Sequence, residues 1–316
     1  GMGGGGAGRG IMAAGQQAGM GKYLAFSRAQ ESSAHAAGAR YLHMAGISGQ
    51  GSIAFFKKLA NMEWRLYLPK DGYMTTHPLS TDRIAALSNV YENDPAWNKK
   101  TDPALEARFQ RVKAKLIGFV SEPKATLQRY PESDKSVPAR YARAYAYHKS
   151  AFTEKALAEV SELLKSAPHD PYFLELEGQV LLESGKPTLA IPPLREAVER
   201  TNNQPLIATL LGHALLATDD DKYLDEAERV LRNSLSRDND NPFGWYALGN
   251  VYQRKGDTAR AALATAERYS MEGQTALALR HAEVAMGGIP QNTPDYIRAQ
   301  DIAMVSRAAM EGRRKK

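Results

Sequence analysis

Glu31 and His35 are residues whose types and spacing could support chemistry, because a carboxylate and an imidazole can each bind a metal or exchange a proton. They stand four positions apart in an alanine-rich segment, so a helix would place them on one face, where they can meet one ligand or each other. A glutamate and a histidine four residues apart more often form a solvated ion pair than a metal site. His43 lies eight residues further on, about 12 Å along a helix axis, so this segment predicts no three-ligand site of its own.

The composition excludes several kinds of site. The 316 residues include no cysteine, which rules out disulfides, thiolate metal sites and cysteine nucleophiles without fixing the cellular compartment. Hydrophobic residues make up 43% of the chain and charged residues 24%, the balance of a globular protein of about two domains. The chain is therefore long and apolar enough to bury a substantial core.

The charge pattern argues against a nucleic-acid partner. Four of the six net positive charges come from the last four residues, 313–316, and the other basic residues alternate with acidic ones, as on solvated helix faces. No apolar run is long enough to span a membrane, which leaves peripheral membrane association open. The chain lacks the features of a signal peptide, and its glycine-rich start is unusual for a globular domain, so we expect further sequence upstream.

Three helices are expected around Glu31. The first covers 23–45 and is stopped by Gly46, and the second runs over 52–66. His77 follows in a loop, where Pro78 biases it towards an extended conformation. The third helix begins at Ser80 or Thr81 and carries the apolar residues Ile84, Leu87 and Val90.

A further helix is expected after a polar stretch that contains Pro95 and Pro103. It ends near Phe119 and presents four apolar residues on one face, which are Leu105, Phe109, Val112 and Leu116. We expect this helix to connect the first region with a second one.

The second region is repetitive. Gly178 and Gly212 are 34 residues apart, and so are Pro171 and Pro205. The next interval is 37 residues for both residue types, which one insertion of three residues at 219–221 explains. A fixed period of this length is typical of stacked helical hairpins, and at least four hairpins fit between 137 and 302.

The clearest unit of this array is Trp245-Tyr-Ala-Leu-Gly-Asn-Val-Tyr252. It resembles the first helix of a tetratricopeptide (TPR) repeat, W-x2-L-G-x2-Y. Glycine or alanine at the inner face lets the partner helix approach closely. No segment is rich in strand signals, so the fold class is expected to be all-α, with a TPR-type helical-hairpin solenoid as its larger part.

An ordered set of motifs in residues 20–90 resembles a second family. The stretch Ser27-Arg28 to Gly38, which contains Glu31, is followed by Phe55-Phe56-Lys57-Lys58-Leu59 and then by Thr76-His77-Pro78 with Arg83-Ile84. The set is similar to the later half of the catalytic domain in zinc metallopeptidases of the HtpX, CAAX-prenyl-protease and BepA family. The resemblance implies that Glu31 is a zinc ligand and that the region is a partial helical metallopeptidase domain.

Two departures from this family pattern bear on activity. No H-E-x-x-H motif occurs in the sequence, although the family uses it for two zinc ligands and the general base. His35 stands where the family has an aspartate that orients a ligand histidine. The resemblance therefore implies zinc in the complete protein, but absent or weakly bound zinc and little peptidase activity for this chain alone.

Two further residues have roles implied by the resemblance. His77 is a candidate switch that could place its imidazole at the open zinc position, although a lone histidine before proline is more often a loop or packing residue. Arg83 is expected to pair with a carboxylate or a helix end near the site. Neither residue is expected to replace the missing motif.

The sequence thus divides into five expected segments. They are a glycine-rich segment (1–21), the C-terminal part of a zinc metallopeptidase domain (22–95), a linker with a bridging helix (96–136), TPR-like repeats (137–302) and a basic tail (303–316).

Two functions remain open at this stage. The first, which the resemblance implies, is part of a periplasmic, TPR-bearing zinc metalloendopeptidase in outer-membrane protein quality control, with its signal peptide upstream. Its repeat groove would bind polypeptides or envelope proteins. The alternative is a non-catalytic TPR scaffold in which the N-terminal helices only cap the array. Zinc content and cleavage of an unfolded protein distinguish them.

Overall fold

The computed structural model describes residues 23, 26–27, 29–65 and 80–314, all of whose regular elements are helices. It divides between Arg108 and Phe109 into two compact units. His77 and the glycine-rich segment lie outside the described residues. Among the described helices, none is both long and apolar enough to cross a membrane. The all-α prediction is confirmed.

The first unit is built around three helices. They are α1 (29–45), α2 (Gln50–Arg65) and α3 (Ser80–Glu92). Gly46 ends α1 with a φ of +62°, a left-handed conformation that suits glycine. The three helices bury a small apolar cluster formed by Ala39, Ile53, Phe56, Leu87 and Tyr91.

The turn between α1 and α2 is held from two sides. A Cβ on Gly49 would lie 2.1 Å from the ring of Tyr91, so only glycine lets α3 pack this closely. Ser48 Oγ and Gln50 Nε2 both donate to the carbonyl oxygen of Trp97, at 2.6 and 2.8 Å. These bonds fix the chain that follows α3 against the start of α2.

The expected connecting helix is α4 (Pro103–Val120), followed by the short α5 (Pro123–Arg129). Its buried residues are Ala114 and Gly118, whereas the four apolar residues predicted to share one face, Leu105, Phe109, Val112 and Leu116, are about half exposed. Small residues let α4 approach its neighbour closely, since a Cβ on Gly118 would lie 2.8 Å from the carbonyl oxygen of Ala142. The larger apolar residues therefore lie on the outer face of α4.

The second unit continues as five helical hairpins. In chain order they are α6 (Val137–Lys149) with α7 (Thr153–Ser166), α8 (Pro171–Glu183) with α9 (Pro187–Arg200), α10 (Pro205–Ala217) with α11 (Leu224–Arg237), α12 (Pro242–Arg254) with α13 (Thr258–Met271), and α14 (Thr275–Gly288) with α15 (Pro294–Arg314). The hairpins expected from the 34-residue period are confirmed. The inserted residues lead into a 3-10 turn, Asp221–Tyr223, before α11.

The recurring prolines and glycines have separate structural tasks. Pro171, Pro205 and Pro242 each begin the first helix of a hairpin, where a fixed φ is favourable and no N–H is needed. Gly178 and Gly212 lie where a leucine of the partner helix crosses, because an added Cβ would stand 2.4 Å and 2.5 Å from Cγ of Leu194 and Leu231. The period therefore reflects helix starts and close crossings.

Candidate functional site

Glu31, His35 and Arg83 form one group in the first unit, here called the Glu31 cluster. The four-residue spacing on α1 brings His35 Nε2 to 3.4 Å from Glu31 Oε1. Helix α3 supplies Arg83, whose Nη2 lies 3.0 Å from the same carboxylate oxygen. The side chains of Glu31 and Arg83 are 21% and 11% exposed, so the ion pair is largely removed from water.

The ring of Phe56 forms an apolar floor under this cluster. The His35 ring meets it edge to face with centroids 5.3 Å apart, and Arg83 Cζ lies 5.5 Å from its centroid. Phe56 itself is buried in the core of the unit. The aromatic ring of α2 therefore positions both partners of Glu31, the imidazole of His35 and the guanidinium of Arg83.

Two buried nitrogen atoms of the cluster have unused hydrogen-bonding capacity. His35 Nε2 and Arg83 Nε are both buried, and neither makes a hydrogen bond within the part of the chain that the structure describes. Buried polar atoms in native proteins normally have a partner. The cluster can therefore accept a further polar group.

A groove with a volume of about 600 Å³ runs along α1 and α3 beside the cluster. His35 and Arg83 line it together with apolar residues of the two helices. Near its other end, His43 Nδ1 lies 2.6 Å from Asp94 Oδ2. The backbone N–H of Ala96, and then His43, hold the pKa of Asp94 below its usual value. His43 thus has a separate partner and does not join Glu31.

The described residues do not complete a catalytic zinc site. The cluster offers one carboxylate and one imidazole, whereas catalytic zinc takes three protein ligands and an open position. Among the side chains that the structure describes in 29–62 and 83–311, no three histidine or acidic groups converge as metal ligands. Arg83 occupies one side of Glu31 instead, so the ligand set is incomplete in this part of the chain.

A second candidate site lies on the repeats, and the sequence analysis did not single out its residues. Phe243 and Tyr246 on α12 are 44% and 49% exposed, and the Phe243 ring meets that of His213 at 5.0 Å. The consensus residues Trp245 and Leu248 point inward. The sequence signal that could have indicated this surface is the presence of aromatic residues, Phe243 and Tyr246, at positions that the repeat consensus leaves free.

Comparisons with known proteins separate the same two parts of the chain. The profile of Peptidase family M48 matches residues 6–91, and a tetratricopeptide repeat profile matches residues 141–205. The first match includes the Glu31 cluster, and the second covers the hairpins that begin the array.

Curated relatives match both parts together. The beta-barrel assembly-enhancing protease of Yersinia pestis is 23% identical over 282 residues, which cover 85% of this chain and 56% of the relative. The protein of the same name from Escherichia coli K12 is 22% identical over 281 residues, with the same coverage. The chain therefore spans little more than half the length of these relatives.

Among solved structures, the tetratricopeptide protein YrrB is similar to 57% of this chain and 96% of its own, with a TM-score of 0.44 and 22% identity. The family assignment rests on the sequence matches and on the hairpins described above. This chain thus combines a segment that matches Peptidase family M48 with an array of helical hairpins whose first members match the tetratricopeptide repeat.

Proposed function

We propose that this protein is part of a zinc metalloendopeptidase of the bacterial envelope. In this enzyme Glu31 is one metal ligand and the repeat array binds polypeptides. The name of the matched relatives, beta-barrel assembly-enhancing protease, supports a role in outer-membrane protein quality control in the periplasm. The proposal extends to the complete protein, because this chain covers only part of those relatives.

The observation that carries the proposal is the state of Glu31. Its carboxylate is oriented by Arg83 at 3.0 Å inside a segment that matches Peptidase family M48. Such orientation is what a ligand carboxylate needs, since groups behind a ligand set its direction and basicity. His35 Nε2 beside it is buried and makes no hydrogen bond in the described part of the chain, so it adds a polar atom that a metal centre or its hydrogen-bonding partners could use.

This chain alone is expected to bind zinc weakly and to cleave little. Its sequence contains no H-E-x-x-H motif, and its described residues supply fewer ligands than catalytic zinc requires. His35 lacks the negative charge of the family aspartate, which lowers metal affinity further. His77 remains a candidate switch residue.

The test compares this chain with the polypeptide encoded by the complete natural gene. Zinc content is measured by elemental analysis and peptidase activity by cleavage of casein. We expect one zinc and cleavage for the complete gene product and neither for the 316-residue chain. In the complete product, Glu31→Gln should lower zinc affinity by more than about a hundredfold, beyond the loss usual for an outer-shell partner.

Glu92→Gln is the matched control, because Glu92 lies exposed on α3 of the same unit. It should leave zinc content and cleavage unchanged. Full zinc occupancy in the Glu31→Gln protein would remove Glu31 from the ligand set.

The second candidate is a non-catalytic scaffold that binds polypeptides through its repeats. The observation that favours it is the ion pair of Glu31 with Arg83, which could serve only to join α1 and α3. A metal-free, inert product of the complete gene that still binds unfolded protein would establish the scaffold.

A further inference from the structure

The last repeats contain an open pocket where earlier hairpins are closed. In the first helix of each hairpin, Gly178 and Gly212 are buried under Leu194 and Leu231. At the equivalent place Gly249 is only partly buried, and the residue in the register of those leucines is Thr265. A Cβ on Gly249 would meet its nearest neighbour, Ala264, at 3.4 Å.

This missing leucine leaves a cavity of about 340 Å³ between α12, α13 and α14, here called the Arg268 pocket. Its lining includes the small residues Gly249 and Ala261 together with Arg268, His281 and Val284. The lining residues include no aspartate or glutamate. Arg268 is therefore the charged side chain of the pocket lining.

Aromatic rings position Arg268, but no carboxylate of the described chain forms a hydrogen bond with its guanidinium. Its Cζ lies 4.8 Å from the ring centroid of Tyr269 and 5.5 Å from that of Tyr246. Its closest carboxylate contact is Nε to Glu272 Oε1 at 3.8 Å, beyond hydrogen-bonding distance. Within the described chain, the buried Nε has no hydrogen-bond partner. A guanidinium with five donors thus stands preorganised on two rings.

The other ionisable group in the pocket does not compete for an anion. Burial, and then the nearby charges of Arg280 and Arg268, lower the pKa of His281. His281 is therefore neutral at pH 7, and its ring lies 5.5 Å from that of Tyr269. Arg268 carries the positive charge.

A neighbouring pocket of about 350 Å³ continues the surface along α10 and α12. Its arginine, Arg254, is already neutralised by Asp221 at 2.6 Å and Asp219 at 3.3 Å. Phe243 and His213 make this second pocket apolar and aromatic. The groove therefore presents, among its described residues, an arginine without a hydrogen-bonded carboxylate in the Arg268 pocket and an apolar, aromatic surface in the neighbouring pocket.

Tyr246, Asn250 and Gln253 line both pockets. Asn250 and Gln253 are three residues apart on α12, so their amides lie on one face. A side-chain amide both donates and accepts hydrogen bonds, which matches the N–H and C=O groups of an extended peptide.

We propose that the Arg268 pocket binds the carboxylate of an aspartate or glutamate within an extended polypeptide segment. The aromatic pocket then takes an apolar side chain of the same segment, and Asn250 and Gln253 bind its main chain. This inference rests on the proposed polypeptide-binding role of the array and specifies the kind of segment bound.

The probes are three fluorescein-labelled peptides of ten residues, built from glycine and serine around one phenylalanine. The first carries two glutamates after the phenylalanine and a C-terminal amide, and the second has glutamine in their place. The third has glutamine and a free C-terminal carboxylate. Fluorescence anisotropy gives their affinities for the 316-residue chain.

The glutamate peptide should bind at least about tenfold more tightly than the glutamine peptide, as expected for a charge-assisted contact, and high salt should reduce the difference. Arg268→Gln should abolish the preference, and Arg268→Lys should retain part of it. Arg307→Gln is the matched control and should preserve the preference, because Arg307 lies outside both pockets and pairs with Glu283 at 2.6 Å. Circular dichroism checks that the variants are folded.

Equal binding of the glutamate and glutamine peptides to the unaltered chain would overturn the inference without any variant. Preference for the third peptide alone would overturn it in favour of a chain terminus. If unfolded carboxymethylated lactalbumin binds while the peptides show no preference, the proposed array role stands and this inference fails. If no polypeptide binds, both fail.

Discussion

Arg83 in the first unit and Arg268 in the repeats share a setting but differ in their partners. Each guanidinium rests on aromatic rings, Phe56 for Arg83 and Tyr246 with Tyr269 for Arg268. Arg83 has Glu31 at 3.0 Å, whereas the closest carboxylate to Arg268 is 3.8 Å away. The difference indicates that aromatic rings can position an arginine, while the presence of an internal carboxylate decides whether the arginine is available to a ligand.

The largest expected effect comes from removing the carboxylate partner of an arginine that is fully buried. Arg143 on α6 is fully buried, with Nε 2.6 Å from Glu159 Oε1, and it also donates to the carbonyl oxygens of Pro131 and Asp134 at 2.8 Å. Glu159→Ala should lower the free energy of unfolding by about 3–5 kcal/mol, because it leaves a buried charge without its counterion. Urea denaturation measures the change.

Lys165→Ala provides the contrast, since the pair of Lys165 with Glu162 is well exposed. It should produce no measurable change. A Glu159→Ala protein as stable as the parent would show that burial of an arginine in this fold does not require its carboxylate.

A second test uses Arg111, which lies 4.2 Å from the ring of Phe173 and donates to Asp170. Burial opposes ionisation of Asp170, but the hydrogen bonds and charge of Arg111 outweigh it, so the pKa of Asp170 lies below its usual value. Ionised Asp170 therefore stabilises the fold at neutral pH, and this contribution is lost as the pH falls through the folded-state pKa.

Asp170→Asn should accordingly lower the free energy of unfolding at pH 7 by about 1–2 kcal/mol, while keeping a residue that can cap α8. The difference from the parent protein should close as the pH falls below about 4. Denaturation at a series of pH values measures this, and a difference independent of pH would rule out the charge as its cause.

The smallest expected effect on stability comes from adding a methyl group at the helix crossings, which are closed by a leucine at Gly212 and open at Gly249. Gly212→Ala should be destabilising by about 1 kcal/mol, because overpacking against Leu231 outweighs the gain in helix propensity. Gly249→Ala should instead stabilise by up to about 1 kcal/mol, since its Cβ meets only ordinary contacts. Thermal unfolding of both variants gives the sign, and equal destabilisation would mean that the Arg268 pocket is closed.

Local rules were enough to predict much of this molecule from its sequence. The 34-residue spacing of Pro171 with Pro205 and of Gly178 with Gly212 reflects helix starts and close crossings, which depend on neighbouring elements. Glu31 and His35 meet through helix geometry alone. In each case the deciding contact lies within one helix or one hairpin.

The features that were not predicted depend on more distant elements. The apolar face of α4 was predicted from its periodicity, but not that Ala114 and Gly118 are the buried residues. At Gly118 the neighbouring backbone comes too close for a larger side chain. The Arg268 pocket arises from a leucine that is absent at Thr265 and from rings on two helices. A single sequence does not show which arginine lacks a hydrogen-bonded carboxylate in the folded chain.

The three residues that interrupt the repeat period also change the electrostatics of the groove. They place Asp219 and Asp221 in ion pairs with Arg254. Of the two arginines along the proposed binding face, Arg254 therefore has internal acidic partners, and Arg268 remains for a bound anion. A repeat of regular length would leave two competing anchors for an anion. The irregular spacing thus sets the register in which a bound segment must lie.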